Sequence, residues 1–361
     1  MSTVTVRHAQ GSYPVYVEPG LAGRLEELVG RHLPDRRVAM IADRTVHELY
    51  KAGRLGGSRW EPETLTFPAG ERSKTRETWS LLTDQLLRLN FGRDSGIVAL
   101  GGGVAGDLAG FVAATYLRGV PYLQVPTSLL AMLDASVGGK TAVDTAEGKN
   151  LIGAFHPPVA VLADPGVLGT LPDREYRAGL AEAVKHGLIA DLDYFEWMER
   201  QAEQLLAREA GAVEHLVRRS VEIKAQVVSE DERETGRRAI LNAGHTVAHA
   251  IERATQYRVL HGEAVGLGLV AETALATGLG VASPEAGARV VALLERLGLP
   301  TRVPEPVGPD RLLAAMGRDK KNRGGGIRFA LPRAVGRMGP GPDWTTEAAE
   351  ATIVAALHAI S

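Results

Sequence analysis

Several histidines and carboxylates are spaced so that they would share one helix face. In LNAGHTVAHAIE, the side chains of His245, His249 and Glu252 fall on one face of a predicted helix. Histidines at i and i+4 are a common metal-binding geometry, so spacing alone pairs His245 with His249. In TLPDREYRAGLAEAVKHG, the same argument pairs Glu182 with His186. Spacing leaves both pairings open as candidate metal sites.

Composition limits the chemistry that these residues can support. The 361-residue chain contains no cysteine, which excludes disulfides and thiolate metal sites and leaves nitrogen and oxygen ligands. Its formal net charge is −2, so nothing favours nucleic acid or an anionic membrane as a partner. The first ten residues lack the apolar core of a signal peptide, and no apolar run reaches the length of a membrane span. We therefore expect a cytoplasmic protein.

The predicted helix from Arg174 to Ile189 carries the first of these candidate residues. Glu182 and Lys185 stand at i and i+3, on a different face from an apolar stripe. Most such pairs are exposed and contribute only a few tenths of a kcal/mol to helix stability. A surface ion pair is therefore the simpler interpretation of these two residues, and a catalytic role is the alternative. The stripe consists of Tyr176, Leu180, Val184 and Leu188.

A second candidate site is glycine-rich. A predicted strand at Ile97–Leu100 leads into GGGVAG, and Asp107 opens a predicted helix. Free amides and the helix dipole favour an anion at such a helix N-terminus, and glycines let a phosphate approach the backbone. GxGxxG alone is a weak signal, because a tight strand-to-helix turn produces it too. Two lysines, Lys140 and Lys149, follow in predicted glycine-flanked loops, where an ammonium can reach a phosphate.

The elements that position these residues change character along the chain. Predicted strands and helices alternate as far as about residue 165, which is typical of a doubly wound, dinucleotide-binding α/β domain. From Pro172 onward helical patterns dominate. We therefore predict an α/β protein with a Rossmann-like domain over residues 1–172 and a mainly helical domain over residues 173–361.

Long blocks, in order, resemble the dehydroquinate synthase family of sugar phosphate cyclases. The resemblance covers most of the chain and is far more specific than any single motif. The blocks read GGGVAGDLAGF, YLRG, QVPTSLLAMLDASVGGKTAVD, GKNLIGAFHPP, TLPDREYRAGLAEAVKHG, LNAGHTVAHAIE, HGEAVGLG and DKKN.

The resemblance implies a role for each candidate residue. It takes Glu182, His245 and His261 as ligands of one zinc or cobalt ion. We expect His186 either to support those ligands from behind or to be purely structural. The implied NAD contacts are Asp43, Glu71, Lys74, Gly102, Gly103, Val104, Gly106, Asp107, Thr127, Ser128, Lys140, Lys149 and Thr170. The implied substrate and catalytic residues are Arg118, Asp134, Lys140, Asn150, Lys185, Lys224, Arg238, Asn242, His249, Lys320 and Lys321.

The resemblance also implies a reaction, catalysed by a homodimer. A 3-deoxy-heptulosonate 7-phosphate would be converted to 3-dehydroquinate and phosphate in the shikimate route to chorismate. NAD would oxidise the substrate transiently, phosphate would be eliminated, the ketone would be reduced again, and an aldol closure would form the ring. The metal- and substrate-binding residues would lie in the helical domain. The enzyme would be a carbon–oxygen lyase.

Three alternatives stay open on the sequence. A sister cyclase acting on another sugar phosphate, or on the amino analogue, would keep the NAD and metal blocks. A metal-dependent polyol dehydrogenase would need no phosphate contacts, and the GGKT, GKN and DKKN blocks count against it. A non-catalytic nucleotide-binding protein should have lost at least one residue of the Glu182, His245 and His261 set, and all three are present.

Overall fold

The computed structural model describes residues 2–58, 60–305, 307–317, 326–339 and 344–361. Contacts divide the chain into two compact units. The first comprises Met1–Pro172 together with Val213–Ala225, and the second comprises Asp173–Ala212 and Gln226–Ser361. The return of a helical segment to the first unit is a feature that local sequence patterns do not reveal.

The first unit is built on a seven-stranded sheet in the order β1-β2-β9-β6-β5-β3-β4. Only β1 and β2 pair antiparallel, and the other strands run parallel. The central strands are continuous apolar runs, as expected where helices cover both faces of a sheet. The strands are β1 Ser2–His8, β2 Gly11–Val17, β3 Arg37–Asp43, β4 Glu63–Phe67, β5 Ser95–Gly101, β6 Tyr122–Pro126 and β9 Ala160–Ala163.

Four α-helices belong to this alternating region: α1 Leu25–His32, α2 Arg44–Lys51, α3 Arg76–Arg88 and α4 Gly103–Thr115. The helix predicted to open at Asp107 instead begins at Gly103, so Asp107 lies in its second turn. Glycine is a poor helix former, but close packing overrides that preference here. A Cβ at Gly110 of α4 would lie only 2.5 Å from Thr141 Cγ2.

The two lysines predicted in loops instead lie on a β-hairpin. Lys140 begins β7, Lys140–Thr145, and Lys149 lies on β8, Gly148–Phe155. The two strands pair antiparallel and form their own two-stranded sheet. The flanking glycines suggested loops, whereas strand pairing and packing of β7 on α4 decide the structure.

The second unit is mainly helical, in agreement with the predicted fold class. Helix α9 is its apolar centre, buried along nearly its whole length and packed on α5, α8, α10 and α12. Two short antiparallel strand pairs complete it, Arg328–Phe329 with Thr346–Glu347 and Pro332–Ala334 with Arg337–Met338. The helices are α5 Asp173–Ala190, α6 Leu192–Leu206, α7 Ala210–Glu230 (whose middle, 213–225, belongs to the first unit), α8 His245–Ala254, α9 His261–Gly278, α10 Pro284–Arg296, α11 Pro309–Met316 and α12 Glu350–Leu357.

The last helix of this unit, α12, begins only at Glu350, because Thr346–Glu347 pairs as a strand with Arg328–Phe329. Among the described residues, no helix combines the length and apolar character that crossing a membrane requires.

Candidate active site

Glycines on α9 let three helices of the second unit approach closely. A Cβ on Gly262 would lie 1.8 Å from the carbonyl oxygen of Ala178 on α5, and one on Gly268 would lie 1.9 Å from that of Gly244, which precedes α8. Neither position has room for a side chain larger than hydrogen. The small residues of HGEAVGLG therefore set the spacing between α9 and the two helices packed on it.

This packing brings together one residue from each helix. Glu182 lies in the middle of α5 and is fully buried, while His245 and His261 are the first residues of α8 and α9. Glu182 Oε1 lies 3.7 Å from His245 Nε2 and 3.5 Å from His261 Nε2. The three side chains offer ligand atoms all within 4.8 Å of one another. This is the set that the resemblance implied. Glu182 and His186, one of the two pairs suggested by spacing, also offer ligand atoms within 4.8 Å of each other in a second group that could hold a metal ion.

Each histidine has a second contact through its other ring nitrogen. His245 Nδ1 lies 3.1 Å from the backbone carbonyl oxygen of Ala243. His261 Nδ1 lies 3.4 Å from Oε2 of Glu252, a carboxylate buried on α8. Sequence spacing placed Glu252 on the helix face with His245 but predicted no role for it, because its partner begins the next helix.

The Glu182–Lys185 pair is not on the surface. Both side chains are buried, and Lys185 Nζ lies 2.5 Å from Glu182 Oε2. The simpler interpretation from the sequence was therefore wrong, because the α5 face opposite the apolar stripe is also covered. Pairing with a carboxylate offsets part of the cost of burying a lysine.

The surroundings shift the pKa values of the two histidines in opposite directions. Burial, together with the nearby Lys185 ammonium, holds the pKa of His245 well below its usual value. Burial also lowers the pKa of His261, but the carboxylates of Glu252 and Glu182 outweigh burial and raise that pKa to about 10. The cluster thus contains one neutral and one readily protonated imidazole.

Other predicted residues of the second unit lie around this cluster. The His249 ring is edge-on to His245, with ring centroids 5.7 Å apart, and its centroid is 6.4 Å from that of His261. The Arg238 guanidinium is buried and donates through Nη1 to the carbonyl oxygen of Glu232. Asn242 donates from Nδ2 to Oε1 of Glu234 at 2.5 Å, a contact the sequence did not suggest. Lys320 and Lys321 lie outside the described residues.

The first unit holds a separate cluster at the carboxyl edge of its sheet. Gly102 precedes α4 and has no side chain to cap its amides, and a Cβ there would meet Ser128 Oγ at 3.3 Å. Thr127 N donates to the carbonyl oxygen of Gly101 at 2.9 Å. A small cleft lies over these glycines, lined also by Gln124, Ala131 and Ser136. Ligands of open α/β sheets bind at this kind of edge.

Asp43 ends β3 beside this cleft. Its Oδ2 lies 3.2 Å from the position of a Cβ on Gly101, and its Oδ1 accepts the amide of Val46 at 3.0 Å, capping α2. The structure thus shows the capping role directly.

A buried lysine contacts two more of the predicted cofactor and substrate residues, and a separate ion pair joins another two. Lys74 Nζ donates to Asp107 Oδ2 and, at 2.5 Å, to Asn150 Oδ1. Lys149 Nζ lies 3.2 Å from Glu71 Oε1. Burial lowers the pKa of Lys74, but the carboxylates of Asp107 and Glu71 outweigh burial and raise it, so the ammonium stays charged. Val104 and Gly106 lie in the first turns of α4 nearby in sequence.

The remaining predicted residues of the first unit fall into a pair and two separate positions. Lys224 Nζ lies 2.8 Å from Asp134 Oδ1 and 2.6 Å from the Asp134 carbonyl oxygen, although ninety positions separate the two. Arg118 is exposed, with a left-handed φ of 72°. Thr170 ends a short 3₁₀ turn and donates to Val167. In the described part of this unit, no hydrogen bond or ion pair joins Arg118 or Thr170 to another predicted site residue.

Comparison with known proteins supports the family resemblance across the chain. Residues 64–178 match the family model of the 3-dehydroquinate synthase N-terminal region, and residues 179–322 match that of the C-terminal region. The 3-dehydroquinate synthase of Halorhodospira halophila is 47% identical over 358 residues, covering 99% of this chain and all of the relative. That of Symbiobacterium thermophilum is 48% identical over 341 residues, covering 93% and 95%.

Solved structures agree. A 2-deoxy-scyllo-inosose synthase complexed with carbaglucose-6-phosphate, NAD⁺ and Co²⁺ superposes with a TM-score of 0.90 at 28% identity, covering 99% of each chain. A 2-epi-5-epi-valiolone synthase from Streptomyces hygroscopicus with NAD⁺ and Zn²⁺ gives 0.85 at 30% identity, covering 100% and 99%. A probable glycerol dehydrogenase from Sinorhizobium meliloti, at 16% identity and 0.64, shares the fold alone. On the full-length identity to its curated relatives, this chain belongs to the 3-dehydroquinate synthase family.

Proposed function

We propose that this enzyme converts 3-deoxy-D-arabino-heptulosonate 7-phosphate to 3-dehydroquinate and phosphate, as an NAD- and metal-dependent carbon–oxygen lyase. The observation that carries the proposal is the buried Glu182 carboxylate with two imidazole Nε2 atoms beside it, 3.5 and 3.7 Å away. The cluster occurs in a chain about half identical, over its full length, to 3-dehydroquinate synthases. We assign residues 1–172 to NAD binding and residues 173–361 to metal and substrate binding.

The donor set of the second unit fits one divalent ion. Two imidazoles and one carboxylate are the ligands that zinc and cobalt accept when positions are left for substrate oxygens. A bound ion would also neutralise the charge of a carboxylate that is fully buried. When bound, the metal would act as a Lewis acid towards substrate oxygens. The related cyclase structures contain Co²⁺ or Zn²⁺.

The carboxyl edge of the first unit fits a dinucleotide. The uncapped amides before α4 suit a pyrophosphate, and the glycines leave room for it to approach the backbone. Asp43 and Glu71 supply carboxylates and Lys74 a fixed ammonium at the same edge. When bound, NAD would take a hydride from the substrate and return it in the same turnover, so no NADH would accumulate.

The chain's own cations would stabilise the anionic substrate. Lys185 and Lys224 are each held by a carboxylate, which fixes their ammonium groups before any substrate arrives. Such preorganised charges stabilise developing negative charge without a cost of reorganisation. Arg238 adds a buried guanidinium, whose planar fork suits a carboxylate. We assign phosphate contacts to His249, Lys140, Asn150 and the Lys320–Lys321 segment.

Arg238 and Lys224 also favour the heptulosonate over other sugar phosphates. The substrate proposed here carries a carboxylate in addition to its phosphate, and a sugar phosphate that lacks the carboxylate would lose the charge-assisted hydrogen bonds that we assign to these two cations. We therefore expect discrimination of about 10²-fold.

Phosphate release and NADH absorbance, measured together, test the proposal. Purified enzyme with metal and catalytic NAD should release one phosphate per heptulosonate phosphate consumed, with no net NADH. Glucose 6-phosphate and the amino analogue of the substrate should be run alongside. Faster turnover of either would support a sister cyclase. Stoichiometric NADH without phosphate release would instead identify a polyol dehydrogenase and overturn the proposal.

We further propose that the enzyme is a cytoplasmic homodimer that pairs through β8. This strand exposes Leu151, Ile152 and Phe155, each with more than a third of its surface accessible. Among the described residues β8 pairs only with β7, so its other edge presents backbone donors and acceptors. Two copies of one edge strand related by a twofold axis are self-complementary when antiparallel. A second copy of this chain is therefore the proposed occupant.

A further inference from the structure

The two histidines of the Glu182 cluster are held differently on the side away from Glu182. His245 Nδ1 faces a neutral group, the backbone carbonyl oxygen of Ala243, at 3.1 Å. His261 Nδ1 faces an anionic group, Oε2 of Glu252, at 3.4 Å. In both rings Nε2 is the atom nearer Glu182. The difference between the two Nδ1 partners is independent of any bound metal.

Glu252 is placed to act on His261. Its side chain is 3% exposed, on the α8 face that carries His245 one and a half to two turns earlier. Helix α8 therefore supplies His245 directly and reaches His261, the first residue of α9, through Glu252. A buried carboxylate is costly to retain for packing alone, since a leucine would fill similar space at lower cost.

We propose that Glu252 is a positioning residue that holds His261 as the Nδ1–H tautomer, with Nε2 free to bind the metal. The inference rests on the metal site of the proposed function and adds a residue to it. A hydrogen bond from Nδ1–H to a carboxylate fixes the ring orientation and makes Nε2 a stronger donor than a hydrogen bond to a carbonyl would. His261 is thus the stronger of the two imidazole ligands, and His245 the weaker.

Glu252→Gln tests this with almost no change in side-chain volume. Its amide oxygen can still accept from Nδ1–H, but the negative charge is lost. We expect zinc affinity, measured by competition with a chromophoric chelator, to fall 10- to 100-fold. Glu199→Gln is the matched control, because this α6 carboxylate pairs with Arg289 of α10 in the same unit. The control should keep the wild-type affinity.

A spectroscopic signature separates positioning from a general loss of stability. Co²⁺-loaded wild-type protein should show two exchangeable, paramagnetically shifted ring N–H resonances, one from each histidine. In Glu252→Gln the His261 resonance should move or exchange faster, and the His245 resonance should stay in place. Glu252→Asp, which keeps the charge but shortens the side chain, should fall between wild type and Glu252→Gln in zinc affinity.

The outcomes are distinguishable. Wild-type protein that binds zinc, with Glu252→Gln of equal affinity and an unchanged His261 resonance, would overturn this inference alone. Wild-type protein that binds no zinc would overturn the proposed function together with it. If Glu252→Gln does not fold, ¹⁵N-histidine spectra of zinc-loaded wild type decide the question. A proton on His261 Nε2 there would refute the assignment, and a proton on Nδ1 would support it.

Discussion

At the scale of single residues, the site depends on charges buried next to their partners. Glu182, Lys185 and Glu252 are all nearly inaccessible, and each contacts an oppositely charged or protonatable group. Burying such a charged pair costs free energy. Removing only one partner destabilises the protein further, because the remaining charge stays buried without its partner. Substitutions here should therefore separate metal binding from general stability more clearly than substitutions at the surface.

Substituting the clustered histidines separately tests the ligand assignment. We expect His245→Ala to lose bound metal, because one of three protein ligands is removed. His249→Ala, one helical turn later, should retain metal by elemental analysis. It should nevertheless slow phosphate release about 10²-fold, the scale of losing one charge-stabilising donor. Full metal content in His245→Ala would contradict the ligand assignment, whereas loss of metal in His249→Ala would favour the pairing of His245 with His249 that spacing suggested.

Metal uptake should depend on pH through His261. Because the metal-free pKa of His261 is raised to about 10, this ring is protonated at neutral pH and must lose a proton to bind metal. Apparent zinc affinity should rise up to about tenfold per pH unit from pH 7 to 9. Calorimetry in two buffers of different ionisation enthalpy should show about one proton released per metal at pH 7.5. A pH-independent affinity would contradict this assignment.

The raised pKa of His261 also makes the stability of the metal-free protein depend on pH. In the metal-free protein, protonated His261 stabilises the folded state, because its folded pKa exceeds that of the unfolded chain. That contribution is fully present below about pH 6.5 and is lost as the pH rises through about 10. Urea unfolding of chelator-treated protein at several pH values would measure it.

At the scale of secondary-structure elements, glycines decide which helices can meet. Gly268 on α9 is the sharpest case, since a Cβ there would fall 1.9 Å from a backbone oxygen of Gly244. Backbone cannot rotate away as a side chain can, so the helices themselves must move. His245 directly follows Gly244, and the effect would reach the metal cluster.

Gly268→Ala should therefore destabilise the protein and weaken metal binding. We expect a loss of about 3 kcal/mol in the free energy of unfolding, at the upper end of overpacking effects. Gly278→Ala, at the end of the same helix, is the control, because its Cβ would meet only Thr352 Cγ2 at 3.6 Å. That change should be neutral or stabilise by up to about 1 kcal/mol. Equal unfolding midpoints for the two variants would show that α9 is less tightly packed than described.

The start of α4 gives a corresponding test for the cofactor. Gly103→Val adds a branched side chain where even a Cβ would lie 3.3 Å from Ala135 Cβ. We expect NAD affinity, followed by fluorescence titration, to fall at least about tenfold, because the side chain would occupy the approach to the α4 amides. Gly30→Ala within α1, with nothing within 4 Å of its Cβ, controls for glycine replacement. Unchanged NAD affinity in Gly103→Val would rule out this placement of the pyrophosphate.

At the scale of the whole molecule, the proposed dimer makes a prediction about assembly. Ile152→Glu with Phe155→Glu puts two charges at exposed positions of β8. Like charges brought together across a twofold axis repel. Sedimentation should then show a monomer of about half the wild-type mass. Leu192→Glu, an exposed leucine in the second unit, should leave the dimer intact. A dimer that survives the double substitution would place the interface elsewhere.

Much of this could be predicted from the sequence. The α/β fold class and the family resemblance are confirmed, and the break in the chain after Pro172 lies where the predicted strands give way to helices. The resemblance named the three residues that the structure brings together as a candidate metal site, whereas their spacing suggested other pairs. These predictions succeed because the glycines that mark turns and the periodicity of apolar residues are local properties of the sequence. Long blocks in a fixed order also identify a family.

Only the tertiary structure decided which of these residues are buried and what they contact. Glu182 and Lys185 resemble a surface pair until tertiary packing buries their helix face, and Lys140 and Lys149 resemble loop residues until β7 pairs with β8. The contact of Lys224 with Asp134 spans ninety positions, and that of Glu252 with His261 joins two helices. Residue type and hydrophobic periodicity can be read from a short stretch of sequence. The burial of a side chain and its contact partners depend instead on how distant elements pack, which no local pattern encodes.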